Sequence, residues 1–200
     1  NPTGAYVDKG AVDDFLAKIP EHVLVVFDEA YYEYVTAEDY PETIEYVKEG
    51  RNVVVLRTFS KIHGLAGLRI GYGVAPGHIA QLVHRVREPF NVNSAAQVAA
   101  LAALDDDEHV TKSRDLNETG KAWLYQELTK LRLEYVPSQT NFIFIDLKRD
   151  SQEVYQGLLD RGVIARSGGV FGCPTWLRVT IGTAEENRRF IEALAEVMER

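Results

Sequence analysis

The sequence predicts an α/β protein with a mostly parallel sheet in its first half and a small α+β domain after it. Short apolar, β-branched runs alternate with helical patterns through the first half of the chain. This order is typical of parallel strands joined by helices that cover the faces of the sheet. A second, shorter series of strands and helices follows a long polar helix. The 200 residues are enough for one large domain or two small ones, with a buried core.

The elements of the first half follow from these patterns. Residues 8–18 have the apolar spacing of a helix. Residues 22–27 form a continuous apolar run, as expected for a strand that is buried on both faces. A short helix is predicted at 41–49, a β-branched strand at 52–56 and a third strand at 68–74.

The second half is predicted to be helical at first and then mixed. Helices are expected at 77–88 and at 93–104, where Asn93 or Ser94 is the N-cap. The helix at about 106–131 has a polar, charged middle, which is typical of a helix that bridges two bodies. We therefore predict one domain at 1–110 and a second at 111–200. In the second domain we expect strands at 133–136, 141–146, 162–166 and 176–181 and helices at 151–161 and 184–198.

Composition excludes several classes of function. The chain has 22 Lys and Arg against 30 Asp and Glu, a net charge of −8, and no basic run, which argues against a nucleic-acid partner. No apolar stretch approaches the roughly 20 residues that cross a bilayer, so no membrane partner is expected. The single Cys173 excludes an internal disulfide and a cysteine-built metal site, no metal is predicted, and a cytoplasmic location is expected. Because the chain opens at Asn1 in what is predicted to be a turn, we expect the protein to extend further upstream.

Two candidate residues follow strands of the first half, Asp28 directly and Lys61 five residues after the predicted strand 52–56. Asp28 closes the run 22–27, and ligands of open α/β sheets bind beyond the carboxyl ends of strands. A solvated strand end is an equally good interpretation of Asp28 alone. Lys61 follows Ser60 and precedes a glycine-rich stretch, so it could bind phosphate or act as an amine nucleophile. An isolated surface lysine is the commoner case.

Three arginines are the remaining candidates. Arg69 falls within the apolar pattern of the third predicted strand, where an unpaired charge would be costly, so we expect it to have an anionic partner. Arg166 and Arg178 each follow an apolar stretch of the second domain. Two arginines at strand positions in one small domain could converge on a dianion. The alternative is one structural ion pair and one surface charge.

Four motifs in a fixed order carry a resemblance to a known family. Asn1-Pro2-Thr3-Gly4, Asp28-Glu29-Ala30-Tyr31, Ser60-Lys61 and Gly67-Leu68-Arg69-Ile70-Gly71-Tyr72 resemble those of the fold-type I, pyridoxal-phosphate-dependent aminotransferases. The resemblance covers essentially the whole chain, and it matches only the C-terminal part of such an enzyme. It implies that 1–110 is part of the large cofactor-binding domain and 111–200 the small domain.

The resemblance implies a role for each cofactor residue. Lys61 would hold pyridoxal 5′-phosphate as a Schiff base and move the proton of the substrate α-carbon. Asp28 would pair with the pyridine nitrogen, because a buried carboxylate keeps that nitrogen protonated. Tyr31 and Asn1 would hydrogen-bond to the phenolic oxygen of the ring.

The remaining roles concern phosphate groups and substrates. Ser60 and Arg69 would hold the cofactor phosphate. Leu177-Arg178-Val179-Thr180-Ile181-Gly182-Thr183, with Arg166 before it, resembles the branch of the family that acts on histidinol phosphate. In that branch both arginines would bind the substrate phosphate, which carries nearly two charges.

The implied activity is amino transfer between histidinol phosphate and 2-oxoglutarate, giving imidazole-acetol phosphate and glutamate. The partners would be a small-molecule amino donor, a 2-oxo acid and, by family likeness, a second copy in a homodimer. Two alternatives keep the scaffold: an aromatic amino-acid aminotransferase and a threonine-phosphate decarboxylase. A non-catalytic fragment is the alternative from another class.

Overall fold

The computed structural model describes residues 1–199, which form two compact units. One unit is Val7–Thr111, and the other combines Asn1–Tyr6 with the residues from Lys112 onward. The division of the chain into domains 1–110 and 111–200 stays a prediction. Within residues 1–199, no helix is long and apolar enough to cross a membrane.

The unit Val7–Thr111 contains a three-stranded mixed sheet in the order β1-β2-β3. Its elements are α1 (Lys9–Lys18), β1 (Val25–Asp28), α2 (Thr43–Lys48), β2 (Val53–Thr58), β3 (Gly71–Val74), α3 (Gly77–Val86) and α4 (Ser94–Leu104). β1 and β2 are parallel, with Val25 opposite Val53, as predicted. β3 is antiparallel to β2, with Thr58 opposite Gly71, so the prediction of a mostly parallel sheet holds for only one of the two pairings. The reason is that a loop with a single 3-10 turn, rather than a crossover helix, joins β2 to β3.

The predicted elements at 22–27 and 68–74 are longer than the observed strands. β1 begins only at Val25, and it is covered on one face, because Val26 on the other face is 52% exposed. The expectation of burial on both faces is therefore wrong for the residues that the structure describes. The third strand is confined to β3, because residues 66–68 form the 3-10 turn and Arg69 adopts a left-handed backbone with φ 54°.

The unit formed by Asn1–Tyr6 and residues 112–199 contains an antiparallel four-stranded sheet in the order β4-β5-β7-β6. Its elements are α5 (Asp107–Lys130), which begins before the boundary, β4 (Glu134–Val136), β5 (Phe142–Asp146), α6 (Ser151–Leu159), β6 (Arg166–Ser167), β7 (Trp176–Thr180) and α7 (Ala184–Met198). The predicted helices are confirmed to within a turn, whereas the strand expected at 162–166 is reduced to the two residues of β6.

The core of this unit lies between the four-stranded sheet and its helices. β5 is buried at all five positions, and Ile143, Ile145 and Leu177 are fully buried. α7 begins with a capping box, in which the Thr183 side chain and the Glu186 side chain each accept a hydrogen bond from the other's backbone N–H. This sheet carries Arg166 on β6 and Arg178 on β7.

Candidate active site

The predicted site residues fall into two groups, one in each unit. Asp28, Tyr31, Ser60, Lys61 and Arg69 belong to the unit Val7–Thr111. The unit with residues 112–199 contains Asn1, Arg166 and Arg178. Within residues 1–199, no cluster of His, Cys, Asp and Glu side chains could hold a metal ion.

Lys61 lies on a tight turn directly after β2. The Thr58 hydroxyl, at the end of the strand, accepts a hydrogen bond from the Ser60 backbone N–H at 3.0 Å. The Lys61 carbonyl accepts one from the Gly64 backbone N–H at 2.9 Å. Phe59 and Ile62 on either side are 4% and 2% exposed. These buried flanks anchor the turn and hold the lysine beyond the carboxyl end of the sheet.

The residues after β1 lie beside this turn. The ring centroid of Tyr31 is 5.3 Å from Lys61 Nζ. Asp28 is the last residue of β1, and its Oδ1 accepts a hydrogen bond from the Ala30 backbone N–H at 3.2 Å. Because β1 and β2 are parallel, their carboxyl ends meet at one edge of the sheet, as expected from the sequence. The Asp28 residue is exposed, so the described residues do not supply the buried setting that we expected for its carboxylate.

The Arg69 side chain contacts Ser60, but the Arg69 backbone is not part of the strand that the sequence predicts. Its Nη1 donates hydrogen bonds to Ser60 Oγ at 3.3 Å and to the Ala66 carbonyl at 2.9 Å. The expectation that Arg69 lies in a strand is wrong, since its left-handed backbone ends the 3-10 turn outside the sheet. Within residues 1–199 its guanidinium has no ion pair with a carboxylate, so the anionic partner that we expect for Arg69 stays a prediction. Arg69 and Ser60 together present a cation and a hydroxyl beside the lysine.

Arg166 and Arg178 face each other across β6 and β7. They are register partners in this antiparallel pair, so both side chains leave the same face of the sheet. Their guanidinium carbons lie 6.0 Å and 5.7 Å from the ring centroid of Phe171. In the part of the chain that the structure describes, neither arginine has an ion pair with Asp or Glu. Like charges placed directly opposite each other are destabilising, so a bound anion would stabilise this pair of arginines.

Asn1 contacts one of these arginines. Arg178 Nη1 donates a hydrogen bond to Asn1 Oδ1 at 2.6 Å. The segment after Asn1 is held by Gly4, whose carbonyl accepts a hydrogen bond from the Gln139 backbone N–H at 2.8 Å. Gly4 has φ +81°, and a Cβ there would collide with the Ser138 side chain, so this position requires glycine.

One buried polar cluster in the unit Val7–Thr111 was not predicted from the sequence. Glu29 and Arg57 form an ion pair whose side chains are only 2% and 9% exposed, with 2.9 Å between Nη2 and Oε2. The available signal was an arginine within the otherwise apolar run of β2, where a charge requires a partner. The identity of that partner could not be read from the sequence, because Glu29 lies 28 residues earlier.

The chain matches the family described as aminotransferase class I and II over residues 1–194. It is 58% identical over 199 residues to a histidinol-phosphate aminotransferase of Moorella thermoacetica, covering 99% of this chain and 52% of that protein. It spans about half the length of the curated relatives that it matches.

Two solved structures resemble the fold closely. The histidinol-phosphate aminotransferase of Sinorhizobium meliloti, solved in complex with pyridoxal-5′-phosphate, matches all of this chain and 55% of its own at 30% identity and a TM-score of 0.92. The L-threonine-O-3-phosphate decarboxylase of Porphyromonas gingivalis matches all of this chain and 62% of its own at 26% identity and a TM-score of 0.86.

Proposed function

This chain belongs to the class I and II aminotransferases, and we propose that its protein transfers an amino group from histidinol phosphate to 2-oxoglutarate. The products would be imidazole-acetol phosphate and glutamate, in histidine biosynthesis. The proposal includes pyridoxal 5′-phosphate as the cofactor, with Lys61 as its attachment point. In this account residues 1–110 are the C-terminal part of a fold-type I cofactor domain, and residues 111–200 are the small domain.

The residues at the sheet edge of the unit Val7–Thr111 fit the chemistry of this cofactor. The aldehyde group of pyridoxal phosphate forms a Schiff base with a primary amine, and Lys61 provides such an amine beyond the end of β2. A carboxylate beside the pyridine nitrogen stabilises its protonated form, and Asp28 provides a carboxylate at the end of β1. A phosphate requires a cation and hydrogen-bond donors, and Arg69 and Ser60 are already joined to each other at 3.3 Å.

Each residue then has a task in the transfer. When bound, pyridoxal phosphate supplies the conjugated ring that accepts the electrons of the deprotonated substrate carbon. Lys61 Nζ would take the proton from the substrate α-carbon and deliver it to the C4′ carbon of the cofactor. Asp28 would keep the proton on the ring nitrogen, and Tyr31 and Asn1 would hydrogen-bond to the phenolic oxygen. Arg69 fixes the cofactor phosphate by its charge.

The observation that carries the choice of substrate is the cross-strand pair of Arg166 and Arg178. A carboxylate has one negative charge, whereas a phosphate monoester has about −1.5 to −2 at neutral pH. Two guanidinium groups on one face, without a carboxylate counter-charge in residues 1–199, fit the phosphate better. Arg178 also donates a hydrogen bond to Asn1 Oδ1, so one of its donors is already used within the protein.

Steady-state kinetics with histidinol phosphate, phenylalanine and threonine phosphate test the proposal. The value of kcat/KM for histidinol phosphate should exceed that for phenylalanine. A preference for phenylalanine would favour the aromatic aminotransferase instead and would overturn the substrate assignment.

A second candidate is decarboxylation of threonine phosphate, which the structural likeness to a threonine-phosphate decarboxylase favours. Its substrate carries both a carboxylate and a phosphate, so it would also suit two arginines. Release of carbon dioxide from threonine phosphate, with no amino transfer to 2-oxoglutarate, would establish it and exclude the first candidate. A homodimer and a cytoplasmic location stay predictions, and size measurement of the purified protein tests the dimer.

A further inference from the structure

We infer that Glu29 and Arg57 are positioning residues for the cofactor site, because their buried ion pair ties the ends of β1 and β2 together. The inference rests on the proposed function, since it concerns the spacing between Asp28 and Lys61. Neither residue is assigned a contact with cofactor or substrate. Their part is to hold the two segments that supply those contacts.

The Glu29 carboxylate is enclosed by donors. Arg57 Nε donates a hydrogen bond to Glu29 Oε2 at 3.0 Å, and Nη2 lies 2.9 Å from the same oxygen. Oε1 accepts hydrogen bonds from the hydroxyl of Thr43 at 2.7 Å and from that of Tyr40 at 3.3 Å. Both carboxylate oxygens are therefore fixed by side chains from outside β1.

The Arg57 guanidinium is fixed on its other side by an aromatic ring. Its carbon lies 3.4 Å from the ring centroid of Tyr32, whose hydroxyl donates to both carboxylate oxygens of Glu42 at 2.9 and 2.8 Å. Burial raises the pKa of Tyr32, and Glu42 raises it further, so the ring stays neutral. Burial alone would lower the pKa of Arg57, but Glu29 raises it overall, so the guanidinium stays charged.

The pair connects directly to the segments that carry the site. The Glu29 backbone N–H donates to the Leu56 carbonyl at 2.9 Å, next to Arg57 on β2. The Glu29 carbonyl accepts from the Tyr32 backbone N–H at 3.1 Å, which sets the turn that contains Tyr31. Asp28 immediately precedes Glu29, and Lys61 comes four residues after Arg57. A shift of the pair would therefore move Asp28 and Tyr31 relative to the lysine turn.

A contribution to the free energy of unfolding is a weak explanation for the buried ion pair of Glu29 and Arg57. Removing two charges from water costs about as much free energy as their attraction returns, so well-packed apolar residues can replace a buried ion pair without loss of stability. What apolar residues cannot reproduce is the fixed distance and angle of a guanidinium fork on a carboxylate.

The test separates fold stability from cofactor geometry. The double variant Glu29→Leu/Arg57→Met replaces the ion pair with apolar residues, and Arg57→Lys keeps the charge but loses the fork. Glu45→Gln, which breaks the exposed ion pair between Glu45 and Lys48, is the control. For each protein the unfolding temperature, the dissociation constant of pyridoxal phosphate and the visible spectrum of the bound cofactor are measured.

We expect the double variant to remain as stable as the wild type but to bind pyridoxal phosphate on the order of tenfold more weakly, with a shifted visible band. Arg57→Lys should show the same direction of change, and Glu45→Gln should match the wild type in all three readouts. If the double variant does not fold, Arg57→Lys decides the question.

A folded double variant or Arg57→Lys protein with wild-type cofactor affinity and spectrum would overturn the inference alone. A wild-type protein that shows no cofactor band would overturn the proposed function, and with it the premise of the inference. The two failures are therefore distinguishable.

Discussion

The two units of this chain hold their functional side chains by different means. In the unit with residues 112–199, Arg178 lies between Leu177 and Val179, which point into an extensive apolar core beneath the sheet. The unit Val7–Thr111 has a core cluster built on only Val12, Tyr46 and Val53. Beside its proposed lysine site, a buried ion pair and hydrogen bonds act together with the buried side chains of Phe59 and Ile62.

The exposed apolar side chains show the same contrast. In the unit Val7–Thr111 the exposed large hydrophobic residues include Val26, Leu56, Val86, Phe90 and Leu101. In the other unit β5 is buried throughout. We infer that the arginine pair depends on an extensive apolar core, whereas the lysine site depends on buried polar contacts in addition to apolar packing. Substitutions of the same chemical kind should therefore have different consequences in the two units.

The largest expected effect on stability is that of a core truncation beneath the arginines. Leu177→Ala, at a fully buried position, should lower the free energy of unfolding by about 2–5 kcal/mol. Both tryptophans, Trp123 and Trp176, lie in this unit, so urea unfolding followed by tryptophan fluorescence reports on it specifically. The matched control is Leu104→Ala in α4, where the leucine is 55% exposed, and it should change that transition by less than about 0.5 kcal/mol. Equal losses of unfolding free energy in Leu177→Ala and Leu104→Ala would contradict the dependence of this unit on its apolar core.

Next in size is the effect of removing one arginine from the pair. Arg178→Ala should raise the KM for histidinol phosphate about 10- to 100-fold, since each hydrogen bond to a charged group contributes about 1.5–3 kcal/mol. The visible band of the cofactor should remain, because Arg178 lies on β7 and not in the lysine unit. Arg149→Gln, at an exposed position before α6, is the control and should leave the KM unchanged. Loss of the band in Arg178→Ala would place this arginine at the cofactor instead.

A smaller effect is expected from the cap of α7. Thr183→Ala removes the side-chain oxygen that accepts the Glu186 backbone N–H at 3.3 Å. Loss of such an N-cap costs about 0.5–2 kcal/mol, which the tryptophan-detected unfolding transition would register. An unchanged midpoint would show that packing of α7, rather than its cap, determines the stability of this helix.

The smallest expected effect concerns pH. Hydrogen bonds from Thr183 to Glu186 lower the pKa of the Glu186 carboxyl below its ordinary value of 4.5. The carboxylate therefore stabilises the fold above pH 4.5, and this contribution is lost as the pH falls through the lower folded pKa. Glu186→Gln should lower stability at pH 7 but should differ less from the wild type in acid. Glu185→Gln removes the same charge from the same turn, and an identical pH dependence in both variants would contradict the assignment.

Local signals predicted much of the fold. Asn93 does cap α4, accepting a hydrogen bond from the Ala96 backbone N–H, and β1 and β2 pair in parallel as their apolar runs indicated. The direction of β3 could not be predicted in the same way. Residues 68–74 have an apolar pattern, but the left-handed backbone of Arg69 interrupts it, and no side-chain pattern encodes that conformation.

The candidate site residues, too, could be predicted from local patterns only in part. Asp28 could be placed at a strand end from the sequence, because it closes an apolar run, and Lys61 could be placed five residues beyond the predicted strand 52–56. The register that sets Arg166 opposite Arg178 depends on how β6 docks against β7, which no local spacing determines. The pairing of Glu29 with Arg57 depends likewise on the parallel pairing of two strands.

The most direct test of the central claim is to locate the covalent attachment of the cofactor. The purified protein is incubated with pyridoxal phosphate, reduced with borohydride and digested, and the labelled peptide is identified by mass spectrometry. We predict that the reduced cofactor is found on Lys61 in the wild type and that Lys61→Ala carries no label at a comparable yield. A label on a different lysine, or none in the wild type, would contradict the assignment of Lys61.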